Sequence, residues 1–238
     1  NAAERIRALG YSSTADVNTR QGSGPEQVVV DVDVEETTTG SLGFGVSYGA
    51  DAGASLNVSF RERNFLGRGQ TLAFSFDTGS DNQSTSVSFL EPAFLGRDLG
   101  FGLNAYYTTT DSQFAAYDTQ SVGIEPSIEF PVSENGRLRL NYRLSKDSIK
   151  NVDPTTSVIV QRDESSAWTS ALGYLYSYDT RRTGLNPTSG VLLRFGQQIA
   201  GIGGGVQYIQ TTGLVSAETK VAREEVTLRA QFEFGAQT

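Results

Sequence analysis

From Ser41 onward the chain alternates apolar and polar positions with a period of two. Leu42, Phe44, Val46 and Tyr48 stand against Gly43, Gly45, Ser47 and Gly49. Successive side chains of a strand point to opposite faces, so such a run gives one apolar and one polar face. The pattern recurs at Ala54–Phe60, Leu72–Phe76, Val87–Phe89, Leu99–Tyr107, Val122–Phe130, Leu138–Leu144, Trp168–Tyr178, Val191–Ile199 and Val226–Phe234, with a vaguer strand from Val206 to Ala217. The repetition predicts about eleven strands of roughly ten residues, the length a tilted strand needs to cross a bilayer. One face is aliphatic and aromatic throughout; the other is Gly, Ser, Thr, Asn, Gln and Arg.

Period-two alternation also suits a soluble sandwich. Three features favour a transmembrane barrel. The strands exceed the five or six residues usual in soluble sheets. The polar face carries arginines and almost no lysine. Aromatic residues gather near strand ends (Tyr48, Phe60, Phe89, Tyr106, Tyr107, Tyr176, Tyr178), as an interfacial girdle requires. On this reading Phe74, Phe101, Leu138, Leu140, Phe232 and Phe234 face lipid.

Residues 1–39 have a different texture. Ala2–Leu9 has helical spacing with Gly10 as a C-cap. Thr14–Arg20 reads as a strand, Gln21–Pro25 as a turn, and Gln27–Glu36 alternates Val30, Val32 and Val34 with Asp31, Asp33 and Glu35. Helix, strand, turn, strand is the end of a small α+β module, too short to fold alone. The expected division is therefore residues 1–39 and residues 40–238.

Connections alternate in character. Ala50–Gly53 and Pro131–Gly136 are short and Thr78–Ser84 is polar, whereas Thr108–Asp118 and Lys146–Ser166 are long and polar, and Asp179–Gly190 is turn-rich. Glu62–Gly69 (ERNFLGRG) and Glu91–Asp98 (EPAFLGRD) resemble each other, and strand parity puts both at the same end. Their Phe and Leu are expected to dip into a lipid headgroup layer.

Composition narrows the function. The 238 residues hold no Cys, His or Met, and the formal charge is −8. An acidic balance argues against a nucleic-acid partner. Without His or Cys the usual triads, zinc sites and thiol nucleophiles cannot be built. No Walker motif or GxGxxG follows a strand. Asp77, Asp81 and Asp111 lack EF-hand spacing, and Glu62 and Glu91 have no partner as a catalytic dyad. The expectation is no catalytic residue, no metal and no cofactor: not an enzyme. No stretch of eighteen apolar residues occurs, which excludes a transmembrane helix and leaves strands open. The lack of Met suggests a stretch of a longer, processed chain.

The segment ERIRALGY…DVNTRQGSGPEQVVVDVDVEETTTGSLGFGVSYG resembles the BamA family of outer-membrane protein assembly factors, at the end of the last periplasmic POTRA domain and the first barrel strand. GASLNVSFRERNFLGRGQTLAFSF resembles that family's second and third strands, and YDTRRTGLNPTSG a turn before a later one. The resemblance spans essentially the whole chain and is most specific at Gly22–Gly49 and Tyr178–Gly190. It implies an all-β transmembrane antiparallel barrel, here about eleven strands of about sixteen, preceded by the C-terminal part of a POTRA domain in the periplasm. It also implies a role in assembling and inserting β-barrel proteins into the bacterial outer membrane. The partners would be unfolded barrel clients, periplasmic lipoproteins bound through POTRA domains, and the lipid bilayer. The family's sixth extracellular loop, with its Arg-Gly-Phe signature, is expected after Thr238, so the closing strands would lie beyond it or come from a partner.

The resemblance further implies that the first strand, Ser41, Leu42, Gly43, Phe44, Gly45, Val46, Ser47, Tyr48 and Gly49, is a lateral seam that pairs with substrate strands. Glycine weakens a strand and removes side-chain interlock, which fits a seam; relief of crowding inside the barrel would explain the same glycines. Arg137, Arg139, Arg143, Arg194 and Arg229 are expected on the inner face, where acids such as Glu233 would pair with them. Two other functions fit the pattern less fully. One is a POTRA-barrel translocator for secretion or autotransporter assembly. The other is a passive porin-like channel, which would not carry residues 1–39.

Overall fold

The computed structural model of the chain describes residues 12–24, 26–49, 53–111, 116–158, 165–181, 189–221 and 225–238. The expected helix at Ala2–Leu9 lies outside them. The elements with described bounds are strands and one 3-10 turn at Phe94–Gly96.

Two strands, β1 (Ser12–Gln21) and β2 (Val28–Glu36), form an antiparallel pair of their own. The remaining strands form a single sheet of eleven: β3 (Gly40–Gly49), β4 (Gly53–Phe65), β5 (Gln70–Thr78), β6 (Asn82–Glu91), β7 (Gly100–Thr110), β8 (Asp118–Pro131), β9 (Gly136–Lys150), β10 (Ser166–Asp179), β11 (Ser189–Ala200), β12 (Tyr208–Val221) and β13 (Val226–Gln237). Each pairs antiparallel with its neighbour in sequence, so the sheet is a meander with β3 at one edge and β13 at the other. Every strand expected in this region is present.

The register joins the apolar positions into one continuous face. Phe44 lies opposite Val58, Val58 opposite Phe76, Phe74 opposite Val87, and Val87 opposite Ala105. Farther on, Phe101 meets Ile128, Ile128 meets Leu140, Leu140 meets Tyr174, and Val215 meets Phe232. Such a face has no core behind it: Ala171, Leu192 and Ala200 are the only buried apolar residues among those described. Polar side chains on the apolar face bond to one another. The Tyr142 and Ser170 hydroxyls are 2.8 Å apart. Tyr174 donates to Gln197 (2.8 Å), and Gln197 donates to Thr211 (3.2 Å). That internal pairing is what polar groups require where water is absent.

The opposite face carries ion pairs. Glu129 accepts from Arg137 (2.9 Å) and Arg139 (2.7 Å), Asp98 accepts from Arg137 (3.0 Å), and Glu125 accepts from Arg143 (3.0 Å). Arg229 pairs with Glu218 at 2.8 Å. This corrects the expectation about Glu233, which accepts from Gln231 instead. Position 106 is a second correction: Tyr106 pairs with Gly123 and its ring lies over that glycine, on the polar face and not in an apolar girdle. Strand β9 also runs four residues past Lys146, because backbone pairing continues after the apolar pattern ends.

Candidate functional site

Strand β3 pairs with β4 alone among the described residues. Its register is unbroken from Gly40↔Glu62 to Gly49↔Gly53. The Arg63 amide donates to the Thr39 carbonyl at 3.3 Å. Hydrogen-bonded and non-bonded pairs alternate along an antiparallel ladder. The backbone groups of odd-numbered residues therefore serve β4, and those of Leu42, Phe44, Val46 and Tyr48 point to the free edge. These are the residues whose side chains form the apolar face. They are 77%, 73%, 69% and 81% exposed, against 37% for Phe74 and 47% for Leu140 within the sheet. The difference is the area that a further strand beside β3 would cover. An unsatisfied backbone group in hydrocarbon costs several kcal/mol, so this edge demands a partner strand in lipid.

The other face of β3 carries Ser41, Gly43, Gly45, Ser47 and Gly49. Ser47 Oγ lies 2.6 Å from Ser55 Oγ, and Ser41 Oγ lies 3.5 Å from the Arg61 carbonyl oxygen. A Cβ added at Gly45 would lie 3.9 Å from its nearest neighbour, the Asn57 Cβ. Gly45 is also absent from the residues with positive φ. Neither crowding nor backbone conformation requires glycine there. At Gly43 a Cβ would approach the rotatable Ser59 hydroxyl to 2.5 Å.

The start of β3 is held by a contact that sequence reasoning missed. Glu62 accepts hydrogen bonds from the Thr39 hydroxyl and from the Asn64 amide (2.9 Å). Glu91 has the same role in the next hairpin, accepting from Gln70 Nε2 (2.5 Å) and the Ala93 amide (3.0 Å). In both, a glutamate caps the amide two residues on, and the FLGR turn follows. Both turns lie at the end where β3 starts. The signal was in the sequence: the spacing Glu-x-x-Phe-Leu-Gly-Arg is the same in each. Their backbones match as well. Leu66 and Leu95 have φ of 56° and 57°, and Gly67 and Gly96 have φ of 69° and 68°. Leu66 is 74% exposed and Leu95 76%. A bulge between Glu62 and Phe65 brings Phe65 opposite Gln70, on the apolar face. The Phe94 ring stacks on Phe101 of that face, centroids 5.2 Å apart.

The other expected surface residues, Phe74, Phe101, Leu138, Leu140, Phe232 and Phe234, share the apolar face by register. Among the described residues no group of three or more acidic side chains is placed to hold a metal ion.

The profile of the Omp85 superfamily domain matches residues 64–238. The outer membrane protein assembly factor BamA of Neorickettsia risticii is 27% identical over 236 residues, 97% of this chain and 32% of that protein. The human sorting and assembly machinery component 50 homolog is 26% identical over 216 residues, 88% of this chain and 45% of that protein. The chain thus spans less than half the length of these relatives. Among solved structures, BamA from Haemophilus ducreyi lacking POTRA domains 1–3 superposes with a TM-score of 0.71 at 21% identity, covering 99% of this chain and 48% of that one. CdiB from Acinetobacter baumannii gives a TM-score of 0.60 at 12% identity, covering 98% of this chain and 45% of that one.

Proposed function

This chain belongs to the Omp85 superfamily, and on that premise we propose that it is the front portion of an outer-membrane barrel that assembles and inserts other β-barrel proteins. The apolar face meets lipid and the face lined by Arg137, Arg139 and Arg143 meets water. Residues 1–39 end a periplasmic POTRA domain, which places the FLGR turns toward the periplasm. Unfolded barrel clients are the substrates, and periplasmic lipoproteins dock on the POTRA segment. The chemistry is strand exchange, with no covalent step and no cofactor.

One observation carries this reading: β3, an edge strand of the sheet, has side chains that suit lipid and has glycine at position 45 of its inner face, where a larger residue would fit. Main-chain hydrogen bonds give such an edge affinity for any extended strand. The missing interlock at Gly43 and Gly45 lets a client strand join and leave. Glu62 meanwhile holds the start of β3 to β4 through Thr39.

The experiment is a crosslinking scan in the full-length protein carrying this chain. Single cysteines at positions 41–49 should trap the C-terminal strand of a stalled client in an ordered register. A disulfide tying this strand to its partner across the seam should stop insertion. Normal insertion by the locked barrel would end the gate assignment and leave the barrel fold standing.

A further inference from the structure

The chain has three lysines, and two of them, Lys146 and Lys150, lie four residues apart on β9. Even-numbered positions of β9 belong to the apolar face, so both ammonium-bearing chains share it at the end opposite the FLGR turns. The only tryptophan, Trp168, lies directly across from Lys146 on β10. The Lys146 ammonium stands over its ring, 5.9 Å from the centroid. Gln120, Ser148 and Ser166 complete a surface hollow of about 440 Å³ around the two lysines. The Lys150 ammonium donates to Gln120 Oε1. Of the nearby acids, Asp118 lies opposite Lys150 in register and accepts from Asn151 (2.5 Å), and Asp147 accepts from Ser121 (2.6 Å) and Ser145 (3.1 Å). Among the described residues neither lysine makes an ion pair.

We propose that Lys146, Lys150, Trp168 and the flanking serines bind the anionic phosphate headgroup of a membrane lipid, in the leaflet opposite the FLGR turns. The inference rests on the reading of the apolar face as lipid-facing. Tryptophan settles at the headgroup level of a bilayer, and lysine reaches from there to phosphate. On a chain of net charge −8, two cations that make no ion pair among the described residues stand together at this end of the apolar face, one of them over the ring. The hydroxyls and the Gln120 amide supply the neutral donors that a phosphate accepts.

The test uses the full-length protein carrying this chain, with any tryptophan outside the chain replaced so that only Trp168 reports, in nanodiscs of phosphatidylcholine with or without phosphatidylglycerol. Brominated lipids report whether Trp168 meets the bilayer. Native mass spectrometry after detergent release reports how tightly phosphatidylglycerol is retained. Lys146→Gln with Lys150→Gln should weaken retention about thirtyfold, at roughly a fivefold contribution per lysine near a charged surface. Lys146→Arg with Lys150→Arg should restore it, since the charges return. Quenching with unchanged retention in the glutamine variant overturns the site and spares the membrane reading. An absence of quenching by any brominated lipid overturns both. Displacement of phosphatidylglycerol by millimolar inorganic phosphate makes the ligand free phosphate and overturns the lipid assignment.

Discussion

Gly45 lies opposite Asn57 across the β3–β4 ladder, and a methyl group on Gly45 would come no closer than 3.9 Å to the Asn57 Cβ. The space is there and the residue does not use it. Gly45→Ala should therefore fold normally and stabilise β3, by about 0.5–1 kcal/mol from the lost freedom of the glycine backbone. If seam exchange limits insertion, the more stable variant inserts clients more slowly. Denaturant unfolding together with a client-insertion time course checks this. A variant that is stabilised yet inserts at the parental rate would remove glycine from the mechanism.

Phe74 and Ser75 are neighbours on β5 that the pleat sends to opposite faces, Phe74 toward Val87 and Ser75 toward Ser86, whose hydroxyls lie 2.8 Å apart. Phe74→Arg places a guanidinium in hydrocarbon and should destabilise the barrel by roughly 2–4 kcal/mol near the bilayer midplane. Ser75→Arg sends the same group to the aqueous face and should cost far less. Urea titrations of both variants in phospholipid vesicles decide it; equal losses would contradict the assignment of faces.

The strands are legible in the sequence because each obeys the alternation that one wet and one dry face impose. Phe101, Leu103, Ala105 and Tyr107 keep strict parity, and the same parity rejects Tyr106, which proximity to the strand end alone would put in a girdle. The ion pairs are not legible. Glu129 meets Arg139 only because the connection 132–135 sets the β8–β9 register, and composition does not encode a register. Phe65 is hidden for a related reason, since one extra residue at the bulge reverses the parity counted from Phe60. The seam is half legible: glycine spacing appears in the sequence, but the room beside Gly45 needs coordinates. Lys146 and Lys150 read as loop residues in sequence because the ladder outruns the apolar pattern there.

Asp111 sits beyond the end of β7, close to Asp118 and Asp81, and its carboxyl is held above its ordinary value first by the charge of Asp118 and then by the hydrogen bond to it. A raised carboxyl favours the protonated form in the fold. The contact is thus fully present below the unfolded value of about 3.9 and is lost as pH rises through the folded value above it. Hydrogen exchange around Asp111 should slow as pH falls through this window, after correction for intrinsic rates, and Asp111→Asn should remove the step. An unchanged step in the variant would assign the titration to another group.

Leu66 and Leu95 hold a left-handed backbone that suits glycine, at about 1–2 kcal/mol each for a residue with a Cβ, and leave their side chains mostly exposed. Capping of the preceding turns by Glu62 and Glu91 helps to offset that strain. A fold that retains strain to project the same apolar residue from two successive turns at one end makes sense if lipid covers those leucines. In that case Leu66→Gly with Leu95→Gly has opposite effects in two media. In detergent the variant should resist denaturant better than the parent, because the strain is gone. In a bilayer the gain should shrink or reverse, because each leucine's burial in the headgroup layer, worth up to about 1.5–3 kcal/mol, is lost. Parallel denaturation curves in detergent and in vesicles measure the two terms. Equal stabilisation in both media would place the leucines in water or against protein, and the headgroup reading of the FLGR turns would fall.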